Sequence, residues 1–141
     1  MRRGIQWSAG VVLLLALMLA SGCASTPPAA PLPPAKALQP ADLPSLAGEW
    51  HGTLKGGTGP ADTGRSAIGT VRLAPDGSYT TNVSGQPGAG KARIEGGKVV
   101  FEGSATRGTA TLHEGGGRRV LKGTGTWVGY PANAEFELTK R

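Results

Sequence analysis

From Leu46 onward the chain is expected to adopt an all-β fold, an antiparallel meander of about eight short strands forming a small barrel or a strongly curved sheet. Three observations support this. Apolar residues recur with a period of two and nowhere with the 3.6-residue period of a helix. Glycine-rich turn signals interrupt the runs at spacings near ten residues. The alternation leaves one face apolar and the other polar, as in an antiparallel sheet wetted on one side.

Each run can be read in order. Trp50 and Leu54 alternate with His51, Thr53 and Lys55; Val71 and Leu73 flank Arg72; Tyr79, Thr81 and Val83 alternate with Thr80, Asn82 and Ser84. Ala92 and Ile94, Val99 and Phe101, Leu112, Leu121 and Trp127, then Phe136 and Leu138 supply the later apolar positions. Pro75-Asp76-Gly77, Gly96-Gly97 and Gly115-Gly116-Gly117 are hairpin signals, because glycine reaches the positive φ that tight turns need. Gly90 to Gly97 is echoed by Gly108 to Gly115, each copy followed by a basic residue and an apolar pair, which reads as two successive hairpins of one meander. So few large apolar residues predict a thin core for the 46–141 domain.

Two further zones precede it. In 1–22, Met1-Arg2-Arg3 and the twelve-position run Ala9 to Ala20 have the layout of a secretory signal peptide. The run is too short for a helix across a bilayer core, which takes roughly 20 apolar residues. In 23–45 there are seven prolines, at positions 27, 28, 31, 33, 34, 40 and 44. Proline locks φ and removes backbone donors, so this Pro/Ala-rich linker is expected to be a disordered, extended tether reaching about 60 to 70 Å at ~3.1 Å per residue.

Leu19-Ala20-Ser21-Gly22-Cys23 resembles the lipobox of bacterial lipoproteins, with Ala20 where that family more often has leucine. The resemblance implies cleavage before Cys23, a thioether-linked diacylglycerol on its sulfur and an acyl chain, such as palmitate, on the new amine. Ala24, in the position where aspartate favours inner-membrane retention, implies the outer membrane of a diderm cell, with the domain facing the periplasm. Cys23 is the only cysteine, so no intrachain disulfide can form. Leu46-Ala-Gly-Glu-Trp-His-Gly-Thr-Leu with the later Asp76-Gly-Ser-Tyr79 resembles the opening of small lipocalin-like barrels, which implies a structural role for Trp50 as a plug at one end.

The formal net charge of +6 falls to +4 once Arg2 and Arg3 leave with the signal. The excess is spread, with Arg118-Arg119 and Lys140-Arg141 the adjacent pairs in the domain, and reads as ordinary solvation with some affinity for anionic headgroups or polysaccharide. No dense basic stripe interleaved with aromatics suggests nucleic acid as a partner.

Several motifs invite chemical readings. Gly85-Gln-Pro-Gly-Ala-Gly-Lys91-Ala92 nearly spells a P-loop but lacks the Ser or Thr hydroxyl and the following helix, and reads as a flexible loop. Glu49 and His51 share a strand face, as an acid-base pair or part of a metal site, and Glu135 and Glu137 share another, as paired carboxylates would in a glycosidase. Both pairs fit equally a wetted sheet face. Trp50, Tyr79, Trp127 and Phe136 line a ligand cavity or are themselves the core. The expectation is no catalytic, cofactor-binding or metal residue, with Cys23 as the lipidation site. The protein is then a non-enzymatic, lipid-anchored envelope protein that binds an envelope protein, a cell-wall component or a small apolar ligand. The alternatives are a small envelope hydrolase, or an inhibitor of an envelope-directed enzyme acting through the Gly-rich connection Lys55 to Ser66.

Overall fold

Strand pairing follows from the alternation: each run finds an antiparallel partner across a short turn, and the last run returns to the first. The computed structural model describes residues 30–56, 66–104, 106–127 and 134–141. After a two-residue strand β1 (Ala35–Lys36) and a 3-10 helix (Pro40–Leu46) come β2 (Gly48–Lys55), β3 (Ser66–Leu73), β4 (Ser78–Val83), β5 (Gln86–Glu95), β6 (Lys98–Gly103), β7 (Thr106–Gly115), β8 (Arg118–Trp127) and β9 (Ala134–Lys140). β2 to β9 pair each with the next, and β9 pairs back to β2 in the register Trp50↔Lys140 and Leu54↔Phe136. The result is a closed up-and-down barrel of eight strands, which leaves no long edge exposed.

Two-residue turns set the registers. Glu95 pairs with Lys98 across Gly96 (φ 57°) and Gly97 (φ 78°), and Gly115 with Arg118 across Gly116 and Gly117. Both central residues at positive φ is the geometry whose twist matches that of the flanking strands. The echo noted in the sequence falls on β5 and β7, the first strands of two successive hairpins, with Ala92 and Ala110 both buried, and the second turn comes two residues later than the echo places it.

The P-loop-like stretch is corrected. It is no flexible loop: the turn is only Ser84 (φ 50°) and Gly85 (φ 83°), and β5 begins at Gln86. Asn82 Oδ1 accepts the Gly85 N–H at 2.9 Å, which holds the turn. Pro87 is tolerated because β6 pairs with β5 only from Gly90↔Gly103 onward, so its missing donor costs no ladder bond.

The interior is filled by alternate side chains. Trp50, Leu54, Val71, Tyr79, Val99, Phe101, Leu112, Leu121, Phe136 and Leu138 are buried there. Tyr79, Phe101, Phe136 and Trp127 make a chain of edge-to-face ring contacts with centroids 5.3, 6.3 and 5.5 Å apart, the arrangement the ring quadrupoles favour. Large residues sit over glycines on neighbouring strands. A Cβ on Gly123 would lie 2.0 Å from the Thr109 carbonyl oxygen and 2.9 Å from Phe136, and one on Gly90 would meet the Tyr79 hydroxyl at 2.6 Å. A barrel this narrow needs such bare backbone positions to coil its strands.

The tether also departs from expectation. Residues 33–46 do not stand away from the domain; they lie along and under it as a strap. β1 pairs with the lower end of β7 (Ala35↔His113, Lys36↔Leu112), where β7 extends past β6. Leu38 and Leu46 are buried in the core, and Leu43 packs on it. The 3-10 helix starts with Pro40, its Asp42 carboxylate accepting the Gln39 N–H at 2.8 Å, and ends with the Leu46 carbonyl accepting the Trp50 indole N–H at 2.9 Å. Composition suggested a stalk because proline dominates; three leucines placed to cover the open end of the barrel outweigh it. We call this end, with the turns at 74–77, 96–97 and 116–117, the floor, and the opposite end, with the turn at 84–85, the mouth.

Candidate functional site

Cys23 lies outside the described residues, as does most of the Lys55 to Ser66 connection. The other candidates can be placed on the barrel. Glu49 and His51 alternate outward on β2, and the β2–β3 register sets Arg72 opposite Glu49 and Thr70 opposite His51. Glu49 Oε2 accepts from Arg72 Nη2 at 2.7 Å, and Oε1 lies against His51 Nε2, close enough for an ion pair with a protonated imidazole though off the line of a good hydrogen bond. Thr70 Oγ1 sits 3.4 Å from His51 Nδ1. The Arg72 hydrogen bond, assisted by His51, holds the Glu49 carboxyl below its ordinary pKa. A carboxylate so stabilised is a weak base, and it sits on a convex wall with no cleft to exclude water. The sequence was right that the two residues share a face; the partner it missed is Arg72, visible only once the register is known.

Glu135 and Glu137 face outward on β9, opposite Lys55 and Thr53 of β2. With Lys122, Thr53, Lys55 and Phe136 they line a groove of about 180 Å³, below the roughly 300 Å³ at which small-molecule pockets begin. Arg118 reaches Glu137 at 3.8 Å. The two histidines do not meet: His51 is on β2 and His113 on β7, where its Nδ1 lies 2.9 Å from the Pro33 carbonyl and so helps seat the strap. Among the described residues no group of three His, Cys, Asp or Glu side chains is arranged to hold a metal ion. Trp50, Tyr79, Trp127 and Phe136 are all core. Burial raises the Tyr79 pKa, opposed by the Thr106 hydroxyl beside it.

The 75–77 turn is an electrostatic clasp. Asp76 accepts from the Ser78 hydroxyl and, at 3.0 Å, from the Ser78 N–H, and Lys91 reaches its other oxygen at 2.9 Å. These bonds, the Ser78 hydroxyl first, hold the Asp76 carboxyl far below its ordinary pKa. A depressed folded-state pKa means stability that is fully present above the unfolded pKa near ~4 and is lost as pH falls toward the folded value. Thermal melts of Asp76→Asn against the parent from neutral to strongly acid pH are therefore expected to differ at neutral pH and to converge in acid. Curves that stay parallel throughout would show that the clasp contributes nothing.

Sequence reasoning missed one arrangement at the floor. Arg118-Arg119 opens β8, Lys140 ends β9 and Arg141 follows it, and the Val120↔Thr139 register brings these two pairs side by side. Arg119 Nη1 and Lys140 Nζ both donate to the Ser45 carbonyl, at 2.8 and 3.0 Å, and Lys140 Nζ lies 5.8 Å from the Trp50 ring centroid. Partial burial and then the Arg119 charge lower the Lys140 pKa. The signal was present, since one pair follows a triple-glycine turn and the other ends the last strand, but only hairpin pairing makes them neighbours. Set against protein families, curated proteins and solved structures, the chain matches none in any of the three comparisons.

Proposed function

We propose that this chain is a lipid-anchored cell-envelope protein, held at the outer membrane through Cys23, whose barrel acts by recognition at its outer surface and not by catalysis or ligand carriage. The observation that carries the second half of this reading is the filled interior: aromatic and aliphatic side chains from all eight strands occupy the space where a lipocalin-like carrier would hold its ligand. The anchor half rests on the signal layout and lipobox-like Leu19 to Cys23. On this reading the partner is an envelope protein or a cell-wall component. The outer wall suits that role, with threonine, lysine, arginine and glutamate rows able to make many exchangeable polar contacts.

Anchoring has a direct test. Two acyl groups on a thioether glycerol and a third on the amine bury many methylenes at about 0.8 kcal/mol each, so attachment should be stable. Cys23→Ala is expected to move the protein from the membrane fraction to soluble or uncleaved form, and the intact mass of the parent should show a chain starting at Cys23 with its lipid adducts. Unchanged processing and attachment in Cys23→Ala would end this reading.

A further inference from the structure

We infer that the floor of the barrel is an interaction surface for an anionic lipid bilayer, so that the domain stands on the membrane with its mouth facing away. Charge and chain geometry converge on this end. Arg118, Arg119, Lys140 and Arg141 are gathered by the β8–β9 register, and Lys36 on the strap and Lys98 beside the 96–97 turn add to them, the Leu38 N–H being bonded to the Gly97 carbonyl at 3.0 Å. Acidic groups there are fewer and engaged. Glu114 is shared between Lys36 at 3.4 Å and Arg119 at 3.5 Å, Asp42 caps the 3-10 helix, and Asp76, Glu95 and Glu49 are held by Lys91, Arg93 and Arg72. Leu32, an exposed large apolar side chain, precedes the strap residues seated on this end, giving a lipid surface an apolar contact beside the basic ones. Among the described residues at the mouth, Lys55 and Arg107 are set among Glu102 and Glu135, and no comparable excess forms.

The strap decides which anionic surface this is. The Pro33 carbonyl meets His113 and the Pro34 carbonyl accepts the Glu114 N–H at 3.1 Å, both at the lower end of β7, so the chain leaves the barrel at the floor. Pro33 is ten positions after Cys23. Whatever its conformation, that stretch spans no more than about 35 Å, at ~3.5 Å per residue. The charge argument stands without Cys23; the choice of the protein's own membrane as partner rests on the anchoring proposed above.

The test uses residues 24–141 without lipid, a chain that contains the whole closed sheet, the strap and every core residue described. Co-sedimentation is measured with phosphatidylcholine vesicles with and without phosphatidylglycerol. Binding is expected only to the anionic vesicles and should weaken as salt rises. Lys98→Glu with Arg141→Glu, at the floor, should weaken it about tenfold, and the neutral Lys98→Gln with Arg141→Gln less, in the same direction. Lys55→Glu with Arg107→Glu, an identical change of net charge at the mouth, should leave it within about twofold. Near-ultraviolet circular dichroism confirms that each variant is folded. No binding to anionic vesicles, or equal losses from floor and mouth variants, overturns the inference. Failure of the Cys23→Ala prediction leaves these results standing, and the reverse is also true, so the two readings can be separated.

Discussion

Gly123→Ala is expected to destabilise the barrel by about 3 kcal/mol or more, because the new methyl has nowhere to go. Its Cβ would sit 2.0 Å from the Thr109 carbonyl oxygen, 2.8 Å from the Ala110 Cα and 2.9 Å from Phe136. The first two are backbone atoms of the paired strand β7, so relief requires β7 and β8 to move apart across a ladder that runs from Thr106↔Trp127 to Gly115↔Arg118. Gly117→Ala provides the comparison. Gly117 has φ 75° and nothing near its missing Cβ, so only left-handed backbone strain is added, on the order of 1 kcal/mol. Urea denaturation of both variants measures the difference. If Gly123→Ala costs no more than Gly117→Ala, close strand approach is not what position 123 demands.

Trp50→Ala should cost about 3–5 kcal/mol, a large part of the stability available to a domain of this size. Trp50 is fully buried, stands at the floor between strap and barrel, and donates its indole N–H to the Leu46 carbonyl. Truncation leaves a cavity and deprives that buried carbonyl of its donor. Trp50→Phe separates the two effects: it keeps most of the volume and loses the hydrogen bond, for about 1 kcal/mol plus a small cavity term. A urea midpoint in Trp50→Ala close to that of Trp50→Phe would mean that the indole's bulk is not what holds the floor shut.

Most of the fold was legible because period-two alternation and glycine turns are local signals, and in a meander local pairing is nearly the whole topology. Trp50, Val71, Tyr79, Phe101, Leu112 and Phe136 were all named as core from alternation alone, and all are buried. Two stretches were misread for the same reason, that composition was trusted over position. Gly85 to Gly90 looked like a loop because glycine and proline weaken strands, yet Gly90 lies where a Cβ would meet the Glu102 carbonyl oxygen at 2.3 Å, so the close strand approach itself calls for glycine there. The strap as far as Ser45 looked like a stalk because proline hides the placement of Leu38 and Leu43, which acts only through contacts with distant strands. Outer-wall groupings such as Glu49 with Arg72, or Arg119 with Lys140, depend on register between separate strands, which no single run displays.

The β2–β9 seam sets the order in which this molecule can be made. Every other strand pair in the barrel joins sequence neighbours across a turn or connection, whereas the seam joins Trp50 to Lys140, nearly the two ends of the domain. Hairpins can form as soon as their strands exist, but closure pays its loop entropy last and has no partner until the final strand is present. Until then β2 is an open edge and the sheet an unsealed ribbon. On the exported reading proposed above, in which the chain crosses a membrane unfolded and amino terminus first, the barrel is thus kept from sealing until β9 has emerged on the far side.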